Sequence, residues 1–173
     1  LLAGLLLGGL VARWPALHTF GIGGPAMARH GFDAWWPHDK LAVRGYVEVL
    51  KHYRDIAGIR RELCDCLLRE RPDAFIGVDA PDFNLGLERK LKRKGVRTVH
   101  FVSPSVWAWR RERLRTIGQS VDRMLALFPF EPPLYEAAGI AVTYVGHPLA
   151  QDAAGPLTRR AARETLKLSG VTP

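Results

Sequence analysis

The chain has 173 residues, 47% of them hydrophobic and 24% charged, the balance of one ordinary globular domain with a proper core. No low-complexity segment or internal repeat interrupts it, and no second domain is expected within this sequence after its C-terminal tail of helix and linker. A formal net charge of +8 favours an anionic partner, whether nucleotide, phosphorylated substrate, acidic membrane surface or nucleic acid, without choosing among them.

The first stretch, "LLAGLLLGGLVARWP", is apolar as far as Arg13, shorter than the roughly 18 residues a membrane span needs. It lacks the charged start and small-residue cleavage site of a signal peptide. It reads as a core helix whose upstream sequence is missing, with Gly4, Gly8 and Gly9 allowing close packing against a sheet. "HTFGIGG" reads as a short strand ending in a glycine turn, and "PAMARHG" as a short helix with Pro25 in its first turn. Residues 21–26, "GIGGPA", match the dinucleotide pattern G-x-G-x-x-A, which alone is weak. A true fingerprint passes into a long helix and has an acidic residue closing a strand about 20 residues on. Here the helix is short, Pro25 occupies the turn, and no such acid is evident. A tight strand-to-helix turn is therefore the preferred reading, with a nicotinamide-dependent oxidoreductase as its rival. "DAWWP" is a short strand or extended loop closed by Pro37.

From Tyr46 to Arg69 the pattern is helical, with a break expected near Gly58. Val47, Val49, Leu50, Tyr53 and Ile56 give more apolar surface than one helix stripe needs, and Lys51, His52, Arg54, Arg60 and Arg61 are interleaved. An interfacial helix on an anionic membrane and an amphipathic core helix both fit. Cys64 and Cys66 point in different directions on a helix, a poor arrangement for a disulfide, and no Cys/His cluster has metal spacing. They read as reduced thiols of a cytosolic protein.

"DAFIGVD" is a compact buried strand, and "DFNLGLERKLKRKG" a helix with Asp82 as N-cap, Leu87 and Leu91 on one face and Gly95 as the stop. Ligands of open parallel sheets bind beyond the carboxyl ends of the strands, where Asp79 stands. A carboxylate there is expected to be partly desolvated and so a stronger base; an Asx-type turn is the structural alternative. "VRTVHFVS" is the next strand. "SVWAWRRERLRTIGQS" leads into a basic helix whose Trp107 and Trp109 could stack bases or sugar faces, the basis for a nucleic-acid-binding rival; one of the two tryptophans is expected in the core. "VDRMLALFPF" is a strand, "EPPLYEAAG" a short helix and "AVTYVGHP" a last strand, before a tail of helix and linker. Strands alternating with helices imply βαβ units and a parallel sheet.

Six stretches, "FGIGGPAM", "LAVRGYVEVL", "RPDAFIGVDAPDFN", "TVHFVSPSVWAWR", "LALFPFE" and "VGHPL", together resemble lipid-A-disaccharide synthase, a membrane-associated glycosyltransferase family of Gram-negative bacteria. The resemblance runs in order to about Asp152. It implies an α/β, Rossmann-like parallel sheet with helices on both faces, the N-terminal half of a GT-B glycosyltransferase with its first strand missing. Residues 1–152 would be the incomplete acceptor-side domain, and 153–173 a helix and linker towards an absent UDP-binding domain. The family moves 2,3-diacylglucosamine from its UDP donor to 2,3-diacylglucosamine 1-phosphate, giving a β-1,6-linked disaccharide with inversion, and UDP. The UDP-sugar is a substrate, and neither cofactor nor metal is implied.

The family's proposed general base in the "DAPDFN" block is here Asp79. Asn84, Ser103, Ser105, Trp107 and His147 are candidate substrate-binding residues, from strand-end position and family blocks. Val47, Val49, Leu50, Tyr53 and Ile56 correspond to the family's membrane-docking patch, although Tyr53 replaces a more usual aliphatic residue and Arg44 a usual Met. Implied partners are the two sugar substrates and anionic inner-membrane lipids, with no nucleic acid and a homodimer left open; the implied place is the cytoplasmic face of the inner membrane. The family's Gly-Glu-x-Ser-Gly-Asp loop and C-terminal domain are not in this sequence, so the isolated fragment is expected to be inactive.

Overall fold

The computed structural model describes residues 1–37, 46–106, 112–148 and 150, with the backbone alone for residues 37 and 46–55. Helices α1 (Leu2–Arg13), α2 (Pro25–Ala28), α3 (Tyr46–Glu70), α4 (Pro81–Arg93), α5 (Arg113–Ser120) and α6 (Pro132–Ala137) alternate with strands. The strands are β1 (Phe20–Gly23), β2 (Asp33–Pro37), β3 (Ala74–Val78), β4 (Arg97–Phe101), β5 (Arg123–Ala126) and β6 (Val142–Tyr144). Every pairing is parallel. One sheet is β1-β2; the other runs β3-β4-β5-β6 in chain order. The α/β class with parallel sheets flanked by helices is the one the alternation implies.

Register aligns Gly77, His100, Met124 and Val142 in one row across the larger sheet. That row faces the helices: Met124 shares a core with Leu85 of α4, Ile117 of α5 and Tyr135 of α6, and Val142 packs against it. Parallel crossovers are right-handed, so a run stepping in one direction lays its helices on one face. On the other face Ile76 is exposed and Val99 half-buried. A second core joins Leu63, Cys64 and Leu67 of α3 to Leu87 and Leu91 of α4. Phe20, Ile22, Trp35 and Trp36 of the small sheet pack against this core.

Several local expectations change. α3 is continuous through Gly58, where an added Cβ would meet nothing within 4 Å; the glycine is there a propensity loss that a long helix absorbs. The close approaches of α1 are to α2 and the residue pair after it rather than to a strand, with Gly4 against Ala26 and Gly8 against the His30 ring. β5 ends at Ala126, because the chain turns at Phe128, whose N–H donates to Glu131 Oε2 at 2.9 Å. Asp82 is not the cap of α4. The N-cap position is Ala80, and Pro81 begins the helix because its missing N–H is no loss there. Asp82 lies in the first turn, where a carboxylate complements the helix dipole. Cys64 and Cys66 are free thiols; burial pushes the Cys64 thiol up. Among the described residues no helix is long and apolar enough to cross a membrane.

At the centre of the α4–sheet contact lies a polar pair. Glu88 and His100 are wholly buried, with Glu88 Oε1 and His100 Nδ1 2.7 Å apart. Gly77, beside His100 in register, makes room for them: a Cβ at 77 would collide with Glu88 Oε1 and stand 3.1 Å from Asn84 Cβ. Burial raises the Glu88 pKa, opposed by the hydrogen bond and charge of His100. A raised carboxyl pKa means stability present below the unfolded value and lost as pH rises through the folded one. Glu88→Gln cannot ionise, so its Tm should gain on the wild type's as pH is raised from about 4 to about 7.5. Glu88→Ala strips His100 of its partner and leaves a void; thermal melts should show a loss of about 3–5 kcal/mol. Gly77→Ala should lose about 1–3 kcal/mol through overpacking.

Candidate functional site

β3 stops at Val78, and the next two residues, Asp79 (φ +54°) and Ala80 (φ +43°), both take left-handed backbone. L-residues adopt that region at a penalty of roughly 1–3 kcal/mol, so neighbouring contacts must hold it. Asp79 N–H donates to Phe101 O at 2.9 Å, extending the β3–β4 ladder by one rung. The N–H groups of Phe83 and Asn84 both donate to Ala80 O at 3.0 Å. Asn84 Nδ2 donates to Asp79 O at 2.8 Å and reaches Val78 O at 3.4 Å. The chain thus reverses at the carboxyl end of β3, and the Asp79 side chain projects from the bend. It is exposed rather than partly desolvated.

The neighbouring strand ends in a second strained turn. Val102 follows β4 at φ +82°, an outlier for a β-branched residue, and its N–H donates to Leu125 O at 3.2 Å. Between the two turns lies a cleft of about 310 Å³, lined by Asp79, Pro81, Val102, Ser103, Pro104, Ser105, Val106, Arg113 and Phe128. Its size suits a small ligand, and its position beyond the carboxyl ends of parallel strands is where such sheets bind ligands.

Of the expected site residues, Asp79, Ser103 and Ser105 share this cleft. Ser103 Oγ shares a 2.6 Å hydrogen bond with the Tyr135 hydroxyl and donates to Pro104 O at 3.1 Å. Burial, with Glu131 nearby, pushes the Tyr135 phenol up to about 12 against the Ser103 hydrogen bond, so the phenol keeps its proton at neutral pH. Asn84 does not line the cleft: it is buried behind the Asp79 turn and spends its amide on backbone carbonyls. His147 is also absent from the lining; its ring is tilted against Phe128, 6.5 Å between centroids. Trp107 lies outside the described residues, as do the side chains of Val47, Val49, Leu50 and Tyr53, while Ile56 is half-buried.

Arg113 and Phe128 are lining residues that sequence reasoning passed over. Phe128 follows a strand end and could have been found by the rule that found Asp79. Arg113 was hidden in a basic run of several arginines. The glycine turn at 21–26 has a packing role: Gly21 has φ +134°, and a Cβ at Gly23 would run into the Phe32 ring. α2, which follows it, has four residues, far short of the helix that holds a dinucleotide. Among the described residues no three His, Cys, Asp or Glu side chains group as a metal site.

A family model described as lipid-A-disaccharide synthetase matches residues 1–171. Curated relatives named lipid-A-disaccharide synthase include proteins of Albidiferax ferrireducens, 61% identical over 98% of this chain, and Dechloromonas aromatica, 57% identical over 97%. A Burkholderia mallei protein of the same name is 56% identical over 100% of the chain. The matched region is 44%, 44% and 45% of these relatives, so the chain spans less than half their length.

The Asn84 geometry gives a direct expectation. Asn84→Ala removes the clamp on the Asp79 turn and should lower stability by about 1–2 kcal/mol. Asn84→Asp turns an oxygen towards two carbonyls and should be worse at neutral pH. Thermal melts, with amide hydrogen exchange at Asp79 and Ala80, measure both effects; equal stability of all three proteins would show that the clamp is idle.

Proposed function

The chain belongs to the lipid-A-disaccharide synthetase family, and on that membership we propose that the full-length protein is an inverting hexosyltransferase acting on 2,3-diacylglucosamine substrates. The donor is UDP-2,3-diacylglucosamine and the acceptor 2,3-diacylglucosamine 1-phosphate. The observation that carries the reading is the placement of Asp79: a carboxylate without a hydrogen-bond partner among the described residues, aimed by a strained turn into the strand-end cleft.

In this reading Asp79 accepts the proton of the acceptor's 6-hydroxyl as that oxygen bonds to the donor's anomeric carbon. The bond from that carbon to the diphosphate oxygen breaks, UDP leaves with the electron pair, and attack opposite the leaving group gives the β-1,6 linkage. General-base catalysis requires the carboxylate within hydrogen-bond reach of the hydroxyl. Two features of the chain support this role: the exposed carboxylate and the fixed turn beneath it. Ser103, pinned by Tyr135, and Ser105 offer hydroxyls to the sugar's own hydroxyls.

The acyl chains hold both substrates in a membrane at about 0.8 kcal/mol per buried CH₂, so the enzyme must work at the interface. The N-terminal half of α3 is the proposed docking element, with Val47, Val49, Leu50, Tyr53 and Ile56 entering the apolar boundary. The surrounding lysines and arginines face anionic headgroups. The net charge of +8 suits this surface and a phosphorylated acceptor. The proposed location is the cytoplasmic face of the inner membrane.

Asp79→Asn in the full-length enzyme should lower kcat by about 10²–10⁴-fold while leaving Tm unchanged; near-normal kcat removes Asp79 as the base. Replacing Val49 and Leu50 together with Ser should weaken binding to vesicles containing anionic lipid. Unchanged vesicle binding would instead favour a core helix along the whole of α3.

A further inference from the structure

We infer that Arg113 is the group in this cleft that recognises a substrate phosphate, an inference that rests on the glycosyltransferase reading above. Among the described residues it is the one cationic side chain lining the cleft, which it shares with Asp79. Two of the other cations near α4 and α5 are engaged elsewhere. Lys92 donates to Gly118 O and Val121 O and pairs with Asp122 at 3.1 Å. Arg60 lies against Gly86 and reaches Asp82 O at 3.5 Å.

Arg113 Nη2 donates to Asp82 Oδ1 at 2.6 Å. The Asp82 side chain is 88% exposed and that of Arg113 25%. A pair with one carboxylate so exposed contributes little to stability, so its main effect is to orient the guanidinium. That contact uses one of five N–H donors in a planar fork, and the fork matches the geometry of phosphate oxygens. Arg113 is therefore held at one point and free to bind at others, in the wall of a cleft whose remaining lining, Asp79 apart, is neutral.

Both proposed substrates carry phosphate: the acceptor one at its anomeric position, the donor a diphosphate. Asp79 and Arg113 line the same cleft of about 310 Å³, so a ligand that gives its hydroxyl to Asp79 has Arg113 in the same enclosure, which favours the acceptor's phosphate. A phosphate at one end and a hydroxyl delivered to the base at the other would fix the sugar's direction in the cleft.

The test uses the full-length enzyme with Arg113→Ala, Arg113→Lys and Asp82→Asn. Each is assayed with the 1-phosphate acceptor, with the same acceptor bearing a free 1-hydroxyl, and for donor KM. Arg113→Ala should lower kcat/KM for the phosphorylated acceptor by about 10–100-fold, mainly through KM, the range for a hydrogen bond to a charged group. The unphosphorylated acceptor should be used as the wild type uses it. Arg113→Lys keeps the charge but loses the fork and should fall between, and it carries the test alone should Arg113→Ala not fold. Asp82→Asn should keep the wild-type preference for the phosphorylated acceptor. A rise confined to donor KM would assign the same guanidinium to the donor's diphosphate and still support phosphate recognition. Equal losses on both acceptors with donor KM unchanged, or an Asp82→Asn enzyme indistinguishable from Arg113→Ala, would overturn the inference and leave Arg113 a strut. Failure of the underlying reading looks different: the wild type would transfer no sugar, or Asp79→Asn would keep full kcat.

Discussion

Helix α4 can lie against β3 only because residue 77 has no side chain. The space that a Cβ would fill holds a carboxylate oxygen of Glu88, which reaches His100 on the next strand. One turn earlier on the same helix, Asn84 holds the carbonyl of Asp79. The close approach of helix to strand and the clamp on the bend are thus one arrangement. Moving α4 outward by the depth of a methyl group would draw the Asn84 amide off the turn that aims the proposed base. A buried ionisable pair is a poor way to gain stability. Its partners, however, fix how α4 sits over β3 and β4 more narrowly than interchangeable leucines would.

The cleft concentrates backbone strain. Asp79, Ala80 and Val102 are three of the four non-glycine residues with positive φ among those described, and all three lie at the ends of β3 and β4. Each is held by a hydrogen bond from or to the adjoining strand or helix. Such conformations persist where the surroundings over-determine them. Here the surroundings are the continuous ladder of the larger sheet below and the first turn of α4 beside it. The strained residues lie where regular structure stops, and two of them, Asp79 and Val102, line the cleft.

Much of the fold is legible in the residues. Period, glycine stops and prolines near helix starts mark most elements, and alternation alone implies the parallel arrangement. Asp79 could be singled out because it ends an apolar strand with no structural task, and among the described residues its carboxylate has no hydrogen-bond or ion-pair partner. What escaped depends on partners distant in sequence. Asn84 looked like a cleft residue because it shares a motif with Asp79, yet it follows Asp79 by little more than one turn and points back at the bend. Asp82 looked like a cap because nothing in the sequence says that Pro81 can begin the helix behind a left-handed Ala80. Arg113 gains its meaning from Asp82, 31 positions away, and no local pattern separates it from the arginines around it.

An exposed carboxylate is well hydrated, and proton abstraction from a sugar hydroxyl is favoured where water is displaced by fixed groups. The lining of the cleft suits that displacement in the proposed reaction. Pro81, Val102, Pro104, Val106 and Phe128 give it apolar walls, while Asp79, Arg113 and the two serines are its polar points. A sugar settling between those walls would strip water from Asp79 while offering it a hydroxyl, so the base would become competent through the same contact that presents its substrate. This assigns the rigid parts of the site to the sheet and α4, and the desolvation to the ligand. On the proposed reading, the position of the exposed Asp79 carboxylate is set in advance by its braced turn, and its environment would be completed only by the bound sugar.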